Sequence, residues 1–478
     1  MQVCLRGRLR PGFGIMRLVS LIALPIMAVA IAASANAAVL CVKAVGTPPR
    51  GLARKIGCSM TVYMTIGTAV AAASPGDTVF VFGGTYDETV TVDSSLTGLS
   101  ILGQNAKTTK IDATGFDNGI FDQASGVTIS GFTIQDAQHE GILVEGPAPD
   151  CVGGPPPTCT PTSAPIQNVT ISNNIVIDND KGLNTSANPP TCPVGGAVPT
   201  FDQEDCGEGV HLDGVALSTV ANNQVFNNAG GILLTDETNI NGGNLVTGND
   251  VENNIPDCGI TLPSHPPAGS GANIGAVSFG VSGNTVSNNL SRGNGAAGVG
   301  VFTPTPGTSS HKNLIINNTI VSNSEPGVTF HSHAPGQNLK DNVVIGNLIK
   351  GNGADPNPGP GETDGPADPT GIEVYADLGA QATGVSIVGN TIKGETNDIW
   401  IGAPGWNNCG TAPCYFASIY NNNLLGKMTG INNTGNSSAV VAQAPQNWWG
   451  CAKGPGSHGC SSASDGVTTS PFLTKPAK

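Results

Sequence analysis

One short pattern recurs along the chain and limits how it can fold. In its clearest copy Asn390 lies three residues after Ile387 and two before Ile392, and Ile399 follows nine positions on. The same frame fits the copies centred on Asn174, Asn223 and Asn422. Looser copies, with apolar residues at both near positions, are centred on Asn249, Asn284, Asn318 and Asn347. Eight copies at these offsets indicate internal repetition, and therefore units that stack on one another.

Each copy predicts two short strands joined by a corner. The pattern apolar-x-x-Asn-x-apolar is too short and too broken for a helix, and it suits strands separated by tight turns. Asn belongs at such corners because it tolerates left-handed backbone and hydrogen bonds along the chain. We therefore expect Asn174, Asn223, Asn390 and Asn422 to stack in one turn, on the same side of a column of coils.

A second signature follows most copies, namely Gly, an apolar residue, any residue and a second apolar residue. It begins at Gly141, Gly209, Gly231, Gly259, Gly298, Gly327 and Gly371. A single unit cannot bury its apolar side, but stacked units would join these side chains into one continuous core.

Together the two signatures closely resemble the repeats of the right-handed parallel β-helix family, the fold shared by pectate lyases and nitrous-oxide-reductase accessory proteins. The resemblance covers residues 60–478 and is specific for fold but not for function. It implies an all-β protein, a single-stranded right-handed parallel β-helix (a solenoid), with a short N-terminal capping helix.

The N-terminal residues 1–37 are predicted to be a signal peptide. Four arginines precede an apolar run over 18–32, and the small residues 35–37 suit cleavage. The run is shorter than the ~20 residues that a membrane span needs. We therefore expect a secreted mature chain, extracellular or periplasmic, that does not insert into a membrane.

Three further regions are expected in the mature chain: an N-terminal cap with the first strands (38–92), β-helix repeats with loop insertions (93–446) and a C-terminal cap (447–478). Residues 65–74 have helical spacing that ends at Pro75-Gly76, and strands are expected over 77–82 and 86–92. This opening resembles that of many secreted β-helix proteins, pectin methylesterases among them. A helix at the open end would cover exposed strand edges.

Charge and cysteine content limit the partners and the compartment. The mature chain has 16 basic and 34 acidic residues, a formal charge of −18, which argues against nucleic acid and anionic lipid as partners. Ten of its 11 cysteines fall into local pairs that suit disulfides and an oxidising compartment. The expected pairs are Cys41–Cys58, Cys151–Cys159, Cys192–Cys206, Cys409–Cys414 and Cys451–Cys460. Cys258 is left over as a buried thiol. We expect a monomer without a cofactor.

Loop insertions are expected to wall a groove on one side of the column. They cover 147–165, 184–207, 263–277, 303–313, 352–370 and 403–416. Most follow the Gly-apolar-x-apolar strand directly, so they would stand beside its outer face.

Alternate residues of that strand point outwards and form two columns with neighbours ~4.8 Å apart. The first candidate site on these columns contains His211 and Asp213, with Glu208 just upstream and Glu145 counted two coils away. That count puts Glu145 and Asp213 roughly 10 Å apart at the backbone. Their carboxyls could then close to the separation of an inverting glycosidase pair, about 6.5–9.5 Å. His211 is an alternative general base. The competing interpretation is a set of ordinary polar residues on a solvated strand.

The second candidate site contains His331, Glu373, Tyr375 and Trp400. Aromatic rings beside acids suit a sugar, so these four residues are candidate substrate-binding residues. The alternative is an aromatic ladder that stabilises the column. His331 and His333 lack a third placed ligand, so no metal site is expected. About four coils, ~19 Å, separate the two candidate sites.

The preferred function is binding or processing of a polysaccharide along the groove, with a hydrolase or lyase activity if the protein is an enzyme. Polygalacturonase motifs do not occur, and neither do the calcium and arginine motifs of the best-known pectate lyases. A non-catalytic cell-surface, adhesive or structural β-helix is the main alternative. A periplasmic metal-handling accessory protein is a more distant one. Soft metals favour Met, Cys and His, and the mature chain has only Met60, Met64 and Met428.

Overall fold

The computed structural model describes most of the mature chain. The described residues are 37–46, 48–58, 61–184, 206–270, 275–303, 305–332, 336–355, 366–376, 380, 382–402, 415–433 and 442–478. Residues 1–36 of the predicted signal peptide lie outside these ranges. Within them no helix is long and apolar enough to cross a bilayer.

Three long parallel sheets, which we name A, B and C, form the walls of one right-handed β-helix and confirm the predicted fold class. Sheet A contains Val62–Tyr63, Val39–Val42, Thr78–Val81, Ser100–Gly103, Thr128–Ser130, Thr170–Ser172, Thr219–Ala221, Leu245–Thr247, Thr285–Ser287, Leu314–Ile316, Val343–Ile345, Ala382–Val388, Tyr415–Tyr420, Ala442–Gln443 and Val467–Thr468. Sheet B contains Gly84–Asp87, Thr109–Asp112, Thr133–Gln135, Ile175–Ile177, Gln224–Phe226, Asp250–Glu252, Leu290–Arg292, Thr319–Val321, Leu348–Lys350, Thr391–Lys393 and Asn423–Leu425. Sheet C contains Val90–Val92, Asn118–Asp122, Glu140–Glu145, Glu208–Asp213, Gly230–Thr235, Ile260–Pro263, Val299–Thr303, Val328–Ser332, Thr370–Ala376, Asn397–Gly402, Thr429–Asn433 and Ser462–Ala463.

Two smaller sheets lie between or beyond these walls. A short parallel sheet, named E, connects sheet C to sheet A and contains Ile166–Gln167, Val215–Ala216, Asn241–Gly242, Val281–Ser282 and Ser310–His311. An antiparallel hairpin is formed by Asp150–Val152 and Thr158–Thr160. A middle coil therefore runs through sheets A, B, C and E before the next coil begins.

The interior is filled by one apolar residue from most strands of sheets A and B and by two from most strands of sheet C. In one coil these are Ile171 of sheet A, Val176 of sheet B, and Val210 and Leu212 of sheet C, all with no exposed surface. Each pairs in register with its counterpart in the next coil, for example Ile171 with Val220. The period-2 alternation of each strand thus builds one continuous core.

Buried asparagines stack along the corner between sheets A and B. The ladder contains Asn174, Asn223, Asn249, Asn289, Asn318, Asn347, Asn390, Asn422 and Asn447, and each Nδ2 donates to the Oδ1 of the next at 3.0–3.1 Å. The predicted stacking of Asn174, Asn223, Asn390 and Asn422 is confirmed.

Two further ladders occupy the other corners. One, between sheets B and C, contains Asn179, Asn228, Asn254, Asn294, Asn323 and Asn352, and it ends on Glu395. The other, between sheets E and A, contains Asn244, Asn284, Asn313 and Asn342. Asn284 therefore does not belong to the ladder of Asn390, although its flanking Val281 and Val286 match the same sequence frame.

The left-handed residue at these corners is the one that precedes the ladder Asn. Asn173, Asn222 and Asn288 have φ of 56–57°, whereas the following Asn is buried. The predicted conformational role of Asn is thus shared between two residues, since the first makes the turn and the second makes the hydrogen bonds.

Glycine opens the sheet C strands because the corner leaves no room for a side chain. A Cβ at Gly231 would overlap the Gly259 carbonyl of the next coil and the Val251 side chain of sheet B. This close approach explains why Gly precedes the apolar pair in so many copies.

The N-terminal end carries two helices, α1 (Arg50–Ile56) and α2 (Ile66–Ala71). The predicted helix is α2, which buries Ile66, Ala69 and Val70 against the column. Glu88 accepts hydrogen bonds from the N–H groups of Ile66 and Gly67, which are otherwise unpaired at a helix start. The sequence pattern does not reveal α1, and the strand expected over 86–92 is divided between sheets B and C.

Insertions flank sheet C on both sides rather than one. The segments 147–165, 263–277, 303–313 and 403–416 follow a sheet C strand, whereas 184–207 and 352–370 precede one, because they enter from sheet B. Residues 184–207 therefore do not add a coil of their own, so there is one coil fewer around residue 184 than the sequence analysis counted.

Three predicted disulfides lie among the described residues: Cys41–Cys58, Cys151–Cys159 and Cys451–Cys460. Cys206 is also disulfide-bonded. Its predicted partner Cys192 and the predicted pair Cys409–Cys414 lie outside the described ranges. Cys258 is a free, buried thiol, as expected. Such disulfides are consistent with an extracellular or periplasmic location.

Replacing Asn289 with alanine should destabilise the column. Its Oδ1 accepts from the backbone N–H and the Nδ2 of Asn249, and its Nδ2 donates to Val246 O and Asn318 Oδ1. The change leaves buried polar groups unpaired, which should cost about 3 kcal/mol and lower the midpoint of urea unfolding. The neighbouring exposed Asn288→Gly variant is the control, since glycine accepts its positive φ. Equal midpoints for both variants would contradict the role of the ladder.

Reduction of the disulfides should loosen loops without unfolding the column. The described pairs close loops of 8 to 17 residues, so each should contribute roughly 2–3 kcal/mol at most, and the stacked core does not depend on them. We expect the far-ultraviolet β circular dichroism signal to persist after mild reduction at room temperature, while proteolytic cleavage becomes faster. A loss of the β signal would show that the core needs the disulfides.

Candidate functional site

Glu145 and Asp213 lie on adjacent strands, paired in register, rather than two coils apart. The segment around Asn184 belongs to an insertion within a single coil, so Leu143 pairs directly with His211. One strand spacing, ~4.8 Å, therefore separates the backbones of Glu145 and Asp213. The predicted separation of roughly 10 Å is wrong, and with it the basis for an inverting pair.

The outer face of sheet C is covered in this region, instead of lining an open groove. His211 is 9% exposed and Asp213 only 3%. The Cys151 Sγ of the disulfide-linked hairpin lies 3.5 Å from the Ala268 carbonyl, and Asn239 donates to Ser163 O at 2.9 Å. Two insertions thus meet each other above the strands.

A carboxyl cluster lies beneath these insertions, formed by Glu145, Asp213 and Glu237. Burial, and next the Glu237 carboxyl, with which Asp213 shares a hydrogen bond, raise the pKa of Asp213 well above its usual range. Burial and the Asp213 and Glu237 carboxyls raise the pKa of Glu145 to about 8. The backbone N–H of Thr238 donates to Asp213 Oδ1 at 3.2 Å and fixes its orientation. At neutral pH this cluster therefore holds protons that exposed carboxyls would have lost.

Two histidines border the carboxyl cluster. His265 Nδ1 lies 2.8 Å from Glu237 Oε1. His211 Nε2 lies 2.8 Å from Thr235 Oγ1, and its Nδ1 is 3.6 Å from Glu140 Oε1. Burial, together with the nearby His265, lowers the pKa of His211 to about 3. Such an imidazole stays neutral and takes up protons poorly, so the carboxyls are better candidates for acid–base chemistry.

Asp236 holds the second insertion in place over the cluster. It accepts hydrogen bonds from Ser264 Oγ, the His265 N–H and the Gly280 N–H. It therefore joins the two ends of the segment 264–280 to the end of the strand Gly230–Thr235.

Sequence reasoning missed Glu237 and His265, which lie just beyond the strand ends. Each lies two residues past an outward-facing residue at a strand end, Thr235 and Pro263 respectively. Extending the alternation by one more step would have found both. Glu208, noted upstream, is also buried.

The second candidate site is an aromatic ladder, formed by Phe302, His331, Tyr375 and Trp400. The centroids of the His331 and Tyr375 rings are 4.9 Å apart, and the Tyr375 and Trp400 rings stack at 6.3 Å. Tyr375 is 2% and Trp400 7% exposed. These rings offer no open face to a sugar, and their packing favours the ladder interpretation. His333 lies outside the described residues.

Glu373 is buried beside this ladder and is held by Thr329, whose Oγ1 donates to Glu373 Oε2 at 2.6 Å. It therefore lies within the wall rather than on an open platform. The roles predicted for Glu373, His331, Tyr375 and Trp400 in substrate binding remain predictions.

An open depression lies elsewhere, on sheet B. It is lined by Gln224, Phe226, Asp250, Glu252 and Asn253. Burial and the Glu252 carboxyl raise the pKa of Asp250 to about 6, and Arg292 pairs with Glu252. No residue of the predicted sites lines this depression, so it supplies a comparison for experiments on the carboxyl cluster.

Comparison with known proteins agrees with the repeat pattern. Residues 70–266, less than half of the chain, match the family of periplasmic copper-binding proteins (NosD). The repeat is therefore NosD-like, as the sequence resemblance predicts. No curated protein matches the sequence.

Several solved structures are similar. The A-modules of the Azotobacter vinelandii mannuronan C-5 epimerases AlgE4 and AlgE6 have TM-scores of 0.46 and 0.47 and sequence identities of 13% and 14%. The matches cover 86% and 85% of this chain and 94% of each module. The catalytic domain of a GH87 alpha-1,3-glucanase, solved with tetrasaccharides, has a TM-score of 0.45 at 14% identity, covering 85% of this chain and 66% of the other.

Glu145→Gln should change how stability depends on pH. An unfolded glutamate loses its proton near pH 4.3, whereas folded Glu145 keeps it up to about pH 8. The native state therefore binds more protons between these values, and the stability that this proton contributes is lost as pH rises. Glutamine cannot ionise, so the variant should gain stability relative to the wild type between pH 5 and pH 8.

Melting temperatures across this range test the effect. The exposed Asp87→Asn variant is the control, because it removes one carboxylate from the surface of sheet B. A difference between wild type and Glu145→Gln that stays constant from pH 5 to pH 8 would contradict a proton held at Glu145.

Proposed function

We propose that the protein binds and hydrolyses a polysaccharide, with the carboxyl cluster of Glu145, Asp213 and Glu237 as its acid–base centre. The observation that carries the proposal is the hydrogen-bonded carboxyl pair Asp213–Glu237, buried on the outer face of sheet C. Glycoside hydrolysis needs a carboxyl that keeps its proton at neutral pH beside a second one that does not.

The two carboxyls are assigned distinct roles. Asp213 is the general acid, because its raised pKa keeps the proton that the leaving glycosidic oxygen requires. Glu237 is the carboxylate, because Asp213 and His265 surround it with hydrogen-bond partners. Glu145 lies one strand away, and its own pKa, raised to about 8, leaves it protonated and uncharged at neutral pH.

The close contact of the two carboxyls bears on stereochemistry. An inverting enzyme places a water molecule between carboxyls separated by about 6.5–9.5 Å. A hydrogen-bonded pair leaves no room for that water. Retaining enzymes hold the two carboxyls about 5–5.5 Å apart, so the bound substrate has to separate this pair by less than an inverting reaction would need. The proposed reaction therefore retains the anomeric configuration. Glu237 attacks the anomeric carbon while Asp213 protonates the leaving glycosidic oxygen, and a water molecule, deprotonated by Asp213, then hydrolyses the glycosyl-enzyme ester.

The electrostatics favour a neutral glycan. The groups that shift the pKa values of Glu145 and Asp213 include no lysine or arginine. The mature chain also has a strong formal negative charge. A polyuronate would be repelled by such a site, whereas neutral sugar hydroxyls can hydrogen bond to carboxyl groups.

Substrate entry requires the two covering insertions to separate. The hairpin of Cys151 rests against Ala268 of the second insertion, and Ser163 of the first accepts a hydrogen bond from Asn239, which follows the strand Gly230–Thr235. Opening of these contacts would admit a chain that then lies along sheet C. The disulfide would keep the hairpin rigid as it moves.

Variants of the carboxyl pair test the proposal. The full mature chain is incubated with neutral and acidic polysaccharides, and new reducing ends are measured. Asp213→Asn and Glu237→Gln should each lower turnover by about 10²–10⁴-fold while binding persists, because they remove the proton donor and the carboxylate. Nuclear magnetic resonance of the first product should show retained configuration.

Asp250→Asn is the matched control, since it alters a carboxyl in the depression on sheet B. Turnover that survives in Asp213→Asn but is lost in Asp250→Asn would move the active site to sheet B. Binding of glycans with no turnover by the wild type would favour a non-catalytic β-helix instead.

Copper handling is the second candidate, because the partial match is to periplasmic copper-binding proteins. The matched segment 70–266 contains no methionine. Four of its five cysteines are described: Cys151, Cys159 and Cys206 are disulfide-bonded, and Cys258 is a buried thiol. Soft copper ligands are therefore scarce where the match lies. Stoichiometric, tight copper uptake that does not depend on the carboxyl pair would favour this candidate.

A further inference from the structure

Three side chains with metal-ligating atoms converge further along sheet C. The ligand atoms of His331, Asp355 and Glu373 all lie within 4.8 Å of one another. We name these residues the metal-ligand triad. His331 and Glu373 belong to the adjacent strands Val328–Ser332 and Thr370–Ala376, while Asp355 follows the corner after sheet B.

Neighbouring residues contact the side chains of Glu373 and His331 and the backbone of Asp355. Thr329 Oγ1 donates to Glu373 Oε2. The ring of His331 packs against Tyr375. The backbone N–H of Asp355 donates to Pro366 O at 3.1 Å, which closes the base of the insertion around it. Such supporting contacts are typical of metal sites, where they orient the ligands.

Several acidic side chains lie close to the triad among the described residues. The carboxyl of Glu325 interacts electrostatically with the carboxyls of Asp355, Glu373 and Asp257. It also interacts with the imidazole of His331. Glu373 is 1% exposed. Buried carboxylates are costly unless they are paired or coordinate a metal ion.

We infer that His331, Asp355 and Glu373 bind one divalent transition-metal ion of the Zn²⁺ class. One imidazole and two carboxylates suit Zn²⁺, whereas Ca²⁺ and Mg²⁺ prefer oxygen ligands alone. The triad contains no thiolate or thioether, which disfavours Cu⁺. Three protein ligands leave a fourth tetrahedral position open to water or to a substrate oxygen.

Metal binding requires a small contraction. Tetrahedral ligands at 2.0–2.2 Å from zinc are ~3.4 Å apart. The ligand atoms therefore need to approach by at most about 1.4 Å, which rotation of the Asp355 side chain can supply. The site lies four strands from Asp213, ~19 Å along sheet C. It is therefore separate from the carboxyl cluster and independent of the proposed hydrolysis.

Zinc titration of the chelator-stripped full mature chain tests this inference. We expect one Zn²⁺ per chain by isothermal titration calorimetry, and a tetrahedral absorption spectrum when Co²⁺ is used. Asp355→Asn and His331→Ala should each weaken Zn²⁺ binding by at least about 10-fold, since even supporting residues of metal sites have effects of that size. Asp368→Asn, which changes an exposed acid in the same insertion, should bind like the wild type.

Circular dichroism checks that each variant is folded, and Asp355→Asn is the decisive one because it preserves size and lies outside the strands. Absence of stoichiometric Zn²⁺ binding by the wild type would overturn the inference. Wild-type affinity in Asp355→Asn would do the same. Zinc binding that survives there but is lost in His265→Ala would assign the ion to the carboxyl cluster instead.

Discussion

Every corner of a stacked solenoid places peptide groups between two neighbouring coils, where water cannot reach them. An unpaired N–H or C=O in that position costs about 1–3 kcal/mol, and a column of many coils repeats the cost. Asparagine meets the need because its amide can donate and accept at once. In the ladder of Asn289, Oδ1 receives two N–H groups from the previous coil while Nδ2 reaches a carbonyl of that coil and the Oδ1 of the next. The apolar core and the register of all three sheets depend on this arrangement.

The same ladders leave the outside of the column available for other chemistry. Sheet A and sheet B strands are mostly three residues long, and their ends are fixed by a ladder on each side. Sheet C strands are longer and take insertions at both ends. Those insertions cover outward side chains such as Asp213 and Glu373, which then lie in an environment of low polarity although they are not part of the core. A rigid wall beneath and a polypeptide cover above is the setting in which carboxyl pKa values rise.

The fold could be predicted from the sequence because its signal is local and repeated. The frame around Asn390 marks one corner of a coil and Gly231 marks another. Each further copy of either pattern therefore strengthens the same fold prediction. The frame selected Asn284 instead of the ladder residue Asn289. Asn284 lies at a different corner of the same coil but has the same apolar spacing, whereas at Asn289 the second apolar residue is replaced by Ser291. The arrangement of the candidate site was harder to predict. The distance between Glu145 and Asp213 depends on whether residues 184–207 form a coil or an insertion, and periodicity within one strand carries no information on that question.

Buried negative charge is the property that connects the two regions of sheet C. In the carboxyl cluster the groups that act on Asp213 are another acid and hydrogen-bond donors, and the charge is reduced by protons held on the acids themselves. Around Glu373 the acids are more numerous and one imidazole faces them. Protons alone can neutralise a pair of carboxyls that share a hydrogen bond. The acids around Glu373 come from separate segments of the chain, and Glu325, whose pKa is raised to about 8 by burial and by neighbouring carboxyls, keeps its own proton at neutral pH. A divalent ion can contact several of them at once, and a rigid wall makes that contact possible with little rearrangement. Buried negative charge is thus reduced differently in the two regions. The carboxyl cluster brings its acids into direct contact, whereas the region around Glu373 holds its acids apart.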